Sequence, residues 1–336
     1  MVTVLLGFPP NPSSTHVSGL EAVSDEVEVI ACSYVEDDAR RLARSKSTVA
    51  PSELSSEQRM SFARAEVMLA WDIPVDVHDV APNLRWIQAI GAGVEHFRGA
   101  QLDDVLVTNA VGVAAVPIAE FVIARLLAVW KRFDELADAQ RRHSWELLFG
   151  RTFEGTTLGV VGLGAIGTAV AERARAFGVR VLGVRRRHVP GATSPFADEV
   201  FGTDQLHEVL AQCDAVVLSA PSTPETKDLF DAAAFAAMRP GAVFCNVARG
   251  ALVDEDALVD ALESGHLGAA IIDVTKQEPL APESRLWDAP RMHLSPHSSA
   301  SLDRYLDSIF DLFTDNLRRY VNGEPLRNVV DLSAGY

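Results

Sequence analysis

The sequence predicts an α/β fold built on parallel sheets and divided into about two domains. Three observations carry that expectation. Short apolar runs alternate with helix-period segments along the chain, which implies parallel strands joined by helices. The runs are short and continuous rather than alternating, as in strands covered on both faces. The length, 336 residues, is about that of two domains at roughly 150 residues each, and is enough to bury a sizeable core.

In chain order the expected strands are Val2–Leu6, Val27–Ala31, Val67–Ala70, Leu84–Ile87, Leu106–Thr108, Leu158–Val161, Val181–Val184, Ala215–Leu218, Val243–Asn246, Ala269–Asp273 and Met292–Leu294. Helix-period segments lie between many of them, including Ile118–Ala139, Ala165–Phe177 and Glu255–Ser264, and Leu302–Tyr320 is the last helix. The apolar start, Met1 to Phe8, has no basic segment before it and reads as a first strand, not a signal peptide. Arg125 interrupts the longest apolar run, Phe121 to Trp130, so no transmembrane helix is expected. No internal repeat is visible. Two places divide the domains: one near Leu106–Val116, the other near Pro296–Ser301. The expected division puts residues 1–106 and 300–336 in one domain and residues 107–299 in the other.

Composition narrows the function. Hydrophobic residues make up 48% and charged residues 23%, close to the globular average, which excludes disorder and fibrous repeats as the main state. Thirty basic against 46 acidic residues give a net charge of −16. Such a chain does not coat nucleic acid or an anionic membrane by bulk electrostatics. The cysteines, Cys32, Cys213 and Cys245, are odd in number and far apart. That argues against a disulfide framework or a zinc site and for reduced thiols in a cytoplasmic protein. The histidines show no metal-ligand spacing, so no catalytic metal is expected.

The strongest local pattern is Val160-Val161-Gly162-Leu163-Gly164-Ala165-Ile166-Gly167. This G-x-G-x-x-G follows a strand and opens a helix, and Gly178 stands where a helix C-terminal glycine belongs. That is the context a dinucleotide fingerprint requires. Gly162 permits the tight turn, Gly164 lets backbone approach a pyrophosphate, and Gly167 lets helix and strand pack closely. Free N–H groups at the helix start, around Ala165 and Ile166, attract phosphate. An NAD site places an acid at the end of the next strand, to hold the adenosine ribose hydroxyls. Here that strand ends in Val184-Arg185-Arg186-Arg187-His188. A basic run in an acidic chain points to the 2′-phosphate of NADP, held by Arg185 and Arg186; a solvated surface loop is the competing reading. Trp71, directly after an apolar run, is read as part of a substrate-side wall at a strand end; a core tryptophan is its alternative.

Taken in order, further segments carry a resemblance. They are Ile90-Gly91-Ala92-Gly93-Val94-Glu95, Val107-Thr108-Asn109-Ala110 with Ala119-Glu120-Phe121, the glycine loop, Asn246-Val247-Ala248-Arg249-Gly250 with Val253-Asp254, Ile272-Asp273-Val274 through Glu278-Pro279-Leu280, and Ser295-Pro296-His297. The chain resembles the D-isomer-specific 2-hydroxyacid dehydrogenase family, most strongly from about Leu84 to Ser301. The resemblance implies two Rossmann-like or flavodoxin-like domains. The nucleotide-binding domain is inserted into the substrate-binding domain, which the last helix completes. It implies catalytic roles for Arg249, Glu278 and His297. Arg249 grips the carboxylate of a 2-keto acid with its fixed fork and polarises the adjacent carbonyl. His297 gives a proton to the carbonyl oxygen as hydride arrives, and Glu278 pairs with it and favours its charged form. Backbone N–H groups near Ala92 and Gly93 hold the substrate carboxylate. Pro221, Thr226, Val247, Ala248, Asp273 and Ser299 join the cofactor-lining set, with Asp273 near the nicotinamide amide.

The expected activity is therefore NAD(P)-dependent reduction of a small 2-keto acid of the glyoxylate or hydroxypyruvate type, with NADPH preferred, by a protein that pairs as a homodimer along the helix from Ile118. A nucleotide-sensing, corepressor-like binding protein on the same scaffold is the alternative from another class, and a dehydrogenase of another small acid, such as phosphite or formate, is a third. Three departures from the family pattern stand out: Glu95 where Asp is usual, Ser298-Ser299-Ala300 after the histidine, and the missing acid at the end of the second nucleotide-domain strand. The chain ends at Tyr336 without an added regulatory domain, which weighs against serine-pathway phosphoglycerate dehydrogenase.

Overall fold

Val2–Leu6 (β1) pairs in parallel on both sides, with Val27–Ala31 (β2) and with Val67–Ala70 (β3). Trp86–Ala89 (β4) and Leu106–Thr108 (β5) extend the sheet beyond β3, giving the order β2-β1-β3-β4-β5. The computed structural model describes residues 1–8, 12–35, 53–94, 97, 100, 102, 104–186, 194–301 and 303–332. Successive β1 side chains point to opposite faces, as a pleated strand requires. Val4 and Leu6 join Trp86, Phe310 and Phe313, whereas Leu5 joins Met68, Ile87 and Phe62. The helix Tyr305–Val321 supplies Ile309, Phe310, Phe313 and Leu317 to that first face. Tyr320 also stacks on Trp86 at 5.5 Å between ring centroids. This unit comprises Met1–Val113 and Leu302–Tyr336, so it draws on two separate stretches of chain.

The other unit is the single stretch Ala114–Ser301. Its sheet contains Thr157–Val161 (β6), Arg180–Val184 (β7), Glu199–Phe201 (β8), Ala215–Leu218 (β9), Val243–Asn246 (β10), Ala269–Ile272 (β11) and Met292–Leu294 (β12). The spatial order is β12-β11-β10-β9-β6-β7-β8, with every pair parallel. Strand order runs outward in opposite senses on either side of the β6–β9 pair, so the β6 and β9 ends form a topological switch point, where ligands settle in open α/β sheets. Both faces are covered. Leu182, Leu218 and Phe244 lie in one apolar cluster, and Val160, Val217 and Cys245 lie in another.

Several expectations shift. The expected division at 106/107 moves to Val113/Ala114, because β5 is hydrogen-bonded to β4 and belongs to the first sheet. The second division moves to Ser301/Leu302, since Ala300 packs on the second unit's core. The expected helix over 118–139 is two helices, Ala115–Trp130 and Phe133–Arg141. Arg132 between them sits at φ 58°, a left-handed conformation that no helix continues through. The strand expected at 84–87 starts at Trp86 instead, because Leu84 is held in a turn by the Ala81 carbonyl and pairing begins at Val67. The edge strand β8 was not expected; it is short, begins with a charged residue and pairs only with β7. Among the described residues no helix is long and apolar enough to cross a membrane.

Candidate active site

The glycine loop joins β6 to the helix Ala165–Ala176, at the switch point. Each glycine has a separate steric reason. Gly162 sits at φ +103°, and a Cβ there would come within 2.6 Å of the Ala220 amide nitrogen. A Cβ on Gly167 would lie 2.0 Å from the Gly162 carbonyl oxygen. At Gly164 a Cβ would meet nothing within 4 Å. That glycine faces open space at the start of the helix, where no side chain caps the end. The first-turn N–H groups have no intrahelical acceptor and present a positive end of the helix dipole. The loop thus fits the pyrophosphate of a dinucleotide: tight where the protein packs, bare where a phosphate would come close.

At the end of β7, Arg185 is half-buried and its Nε is buried with no hydrogen-bond partner. Arg186 is exposed, whereas Arg187 and His188 lie outside the described residues. No acid follows β7 in sequence, but Glu225 arrives from the loop after β9. Its carboxyl is held below the usual carboxylate range, first by a hydrogen bond from Thr223 and in smaller part by the charge of Arg186. In that loop the Thr226 hydroxyl donates to the Pro221 carbonyl at 2.8 Å and accepts from the Thr223 amide at 2.8 Å. Pro221 and Thr226 therefore form a self-bonded turn at the switch point. Val247 and Ala248, after β10, are buried in the two clusters of the sheet.

The three expected catalytic residues follow β10, β11 and β12, which are adjacent strands, so one sheet edge presents all three. Asn246 at the end of β10 shapes the first loop. Its Oδ1 accepts from the Ala248 amide at 3.0 Å, and its Nδ2 donates to the Arg249 carbonyl at 3.1 Å. Gly250 follows, and a Cβ there would lie 2.0 Å from the Thr275 carbonyl carbon. Backbone can approach backbone this closely only at glycine. The sequence reading gave Gly250 no role; the available signal was a glycine directly after the arginine. Across that contact, the loop after β11 brings in Glu278. Its Oε1 accepts from the Thr275 amide at 3.1 Å and its Oε2 from His297 Nδ1 at 2.9 Å. Glu278 and His297 are both partly exposed, with 41% and 52% of their side chains accessible, so the pair is open to a ligand. A cavity of about 520 Å³ adjoins it, lined by Leu280, Trp287 and Pro296 as well as the pair itself.

Asp273 is only 2% exposed. Its carboxylate accepts from the hydroxyls of Ser295 and Ser299 and from the amides of Ser298 and Ser299. Burial, and then the charge of Asp273, push the Cys245 thiol up. Cys213 is likewise buried and its thiol is pushed up to about 12. Cys32 is half-buried, and all three cysteines are free.

In the first unit, Trp71 directly follows β3, is 41% exposed and lies 6.4 Å from the Phe8 ring. That surface position removes the core alternative. Ala92 is exposed and Gly93 half-buried; Glu95 lies outside the described residues. The Ala92 carbonyl accepts from Asn109 Nδ2 at 2.8 Å, and the Gly91 carbonyl accepts from the Ala110 amide at 2.9 Å.

Comparison with known proteins bears on this arrangement directly. Residues 123–299 match the family model described as D-isomer specific 2-hydroxyacid dehydrogenase, NAD binding domain. A glyoxylate/hydroxypyruvate reductase B of Citrobacter koseri is 34% identical over 289 residues, spanning 83% of this chain and 88% of that protein. Among solved structures, a D-isomer specific 2-hydroxyacid dehydrogenase from Xanthobacter autotrophicus in complex with NADPH and MES superposes with a TM-score of 0.80 at 29% identity, covering 100% of this chain and 99% of the other. An NADPH-dependent glyoxylate/hydroxypyruvate reductase from Sinorhizobium meliloti in complex with NADP and sulfate gives 0.78 at 28% identity, covering 100% of both chains. The matched stretch includes the glycine loop, Arg249, Glu278 and His297, which carry the steric and hydrogen-bonding features above. The chain belongs to the D-isomer specific 2-hydroxyacid dehydrogenase family.

Proposed function

We propose that this chain reduces a small 2-keto acid of the glyoxylate or hydroxypyruvate type, with NADPH preferred over NADH, and works as a homodimer in the cytoplasm. The observation that carries the reading is the Glu278–His297 pair at 2.9 Å. An ionised carboxylate only accepts, so Nδ1 of His297 bears the proton it shares with Glu278. Nε2 is then the nitrogen left to meet a substrate. When bound, the reduced nicotinamide supplies the hydride that the carbonyl carbon receives. Arg249 holds the substrate carboxylate and draws electron density from the neighbouring carbonyl oxygen. His297 in its charged form delivers the Nε2 proton to that oxygen and is left neutral, with Nδ1–H still on Glu278. In oxidation the same nitrogen takes the proton back. Amide groups at Ala92 and Gly93 are the proposed donors to the substrate carboxylate, with Trp71 on the same sheet edge.

NADPH preference rests on Arg185, whose buried Nε lacks a partner, and on the absence of an acid directly after β7. A buried unpaired donor calls for an acceptor, and a 2′-phosphate is a strong one. Gly162, Gly164, Ala165, Ile166 and Gly167 would cradle the pyrophosphate, and Pro221, Thr226, Val247 and Ala248 would border the nucleotide. The homodimer reading draws on Trp145, Leu147 and Phe149, which are 96%, 76% and 82% exposed. Contiguous exposed apolar residues mark protein interfaces. They follow the helix Phe133–Arg141, downstream of the helix from Ile118 that the sequence nominated. Three free thiols fit a reducing compartment. A panel of 2-keto acids assayed with NADPH and with NADH by nicotinamide absorbance tests the reading; inertness toward every keto acid would refute it. Light scattering tests the dimer, with Trp145→Glu expected to give monomers.

A further inference from the structure

Leu163 stands between Gly162 and Gly164, at a place the glycine pattern leaves open to any residue. Its side chain lies against β7 at Gly183. A Cβ on Gly183 would come 2.2 Å from Leu163 Cδ1, 2.8 Å from its Cγ and 3.2 Å from its Cδ2. The leucine thus occupies the space that another residue at 183 would need for its own side chain. Gly183 does not take a positive φ, so space, not backbone conformation, is the reason for glycine there.

The faces of the sheet agree with this placement. Side chains alternate along a strand. Val181 belongs to the apolar cluster of Val160, against which Leu163 also packs, whereas Leu182 and Val184 belong to the cluster on the other face. Gly183 therefore opens a notch on the face where Leu163 lies. Two hydrogen bonds tie the same turn on other sides. The Gly162 amide donates to the Val184 carbonyl at 2.8 Å, and the Ser219 hydroxyl donates to the Gly162 carbonyl at 2.8 Å. Residues 162 and 163 are thus held on three sides, while a Cβ on the next residue, Gly164, would meet nothing within 4 Å.

We propose that Leu163 and Gly183 form a knob and notch that position the dinucleotide turn, and so set affinity for the pyrophosphate that NADPH and NADH share. Leu163 offers only apolar carbons, so it acts on the ligand through the amides beside it. Amides at a helix start hold an anion best when their directions are fixed beforehand, because no ordering is then left to the binding step. The inference rests on dinucleotide binding by this unit and not on which acid is reduced.

The test is a cycle of two substitutions read by cofactor affinity. Gly183→Ala sets a methyl group against Leu163 and should raise the Kd of NADPH and of NADH, measured by nicotinamide fluorescence, by about tenfold each. Loss of the arginines after β7 should weaken NADPH far more than NADH, so an equal loss with both cofactors separates the two subsites. Leu163→Ala removes the knob, adds no atom and should weaken both cofactors by about threefold or more. The double variant should bind no worse than Leu163→Ala, because the methyl at 183 then has room. A Gly183→Ala protein with lowered Tm but unchanged Kd would make the pair a matter of packing alone and overturn the proposal. Losses that simply add in the double variant, or a loss confined to NADPH, would overturn it too. Should Gly183→Ala fail to fold, Leu163→Ala decides by itself, and an unchanged Kd for both cofactors there is the overturning result. A parent protein that binds NADPH and reduces no keto acid would refute the keto-acid reading and leave this cycle fully readable.

Discussion

Glu278 meets His297 through Oε2 and Nδ1 at 2.9 Å, and the other carboxylate oxygen is held by the Thr275 amide at 3.1 Å. The carboxylate is thus anchored to its own loop before it orients the imidazole. That order, from backbone to acid to histidine, lets a partly exposed side chain keep one direction without being buried.

If His297 is the proton donor, replacing it should spare binding and remove chemistry. His297→Asn is expected to cut keto-acid reduction by about 10²–10⁴-fold, the usual range for loss of a general acid, with NADPH affinity little changed. Turnover close to normal in steady-state assays would end the assignment.

Arg249 is expected to work through its planar fork rather than through charge alone. Arg249→Lys keeps the charge and loses the bidentate geometry, which should cost about ten- to a hundredfold in kcat/KM. A lysine variant equal to the parent would show that a point charge suffices.

The end of β7 predicts cofactor choice. Joint replacement of Arg185 and Arg186 by alanine should reduce kcat/KM with NADPH by about tenfold or more per charge-assisted bond lost, and change NADH use far less. Added salt should weaken NADPH binding in the parent more than NADH binding, because Arg186 is exposed and screened. Equal efficiency with both cofactors would make the basic run a solvated loop.

Two glycines should fail in opposite ways. Gly250→Ala forces a Cβ to 2.0 Å from the Thr275 carbonyl carbon and 2.3 Å from the Lys276 amide nitrogen, and should destabilise by about 1–3 kcal/mol or more, seen as a lower Tm by calorimetry. Gly164→Ala projects into open space and should leave Tm unchanged while weakening dinucleotide binding. Two variants with the same profile would contradict the division of labour within the loops.

The sequence revealed features whose cause is local. Val2–Leu6 and Val243–Asn246 are mostly apolar without alternation, Thr3 and Asn246 apart, because both faces are covered, and the glycine spacing at Gly162, Gly164 and Gly167 follows from one turn. The chemistry of Arg249, Glu278 and His297 was legible only as an ordered set, since each alone is an ordinary loop residue. What stayed hidden depends on contacts distant in sequence. Arg132 breaks a helix-period segment that otherwise runs on from 118 to 139. Gly250 matters only because Thr275 approaches it. The serines that fill Asp273 lie 22 to 26 residues away, and no periodicity links them to an acid.

The helix Tyr305–Val321 has a consequence for biosynthesis. It covers Val4, Leu6 and Trp86, residues that leave the ribosome long before it does. A nascent chain carries that apolar sheet face without its lid until residues 305–321 are made, while the intervening stretch Ala114–Ser301 already holds all its own strands. The order of synthesis therefore lets the middle of the chain fold before the beginning. Truncations that remove this helix should strand the first sheet as an aggregation-prone or chaperone-bound fragment.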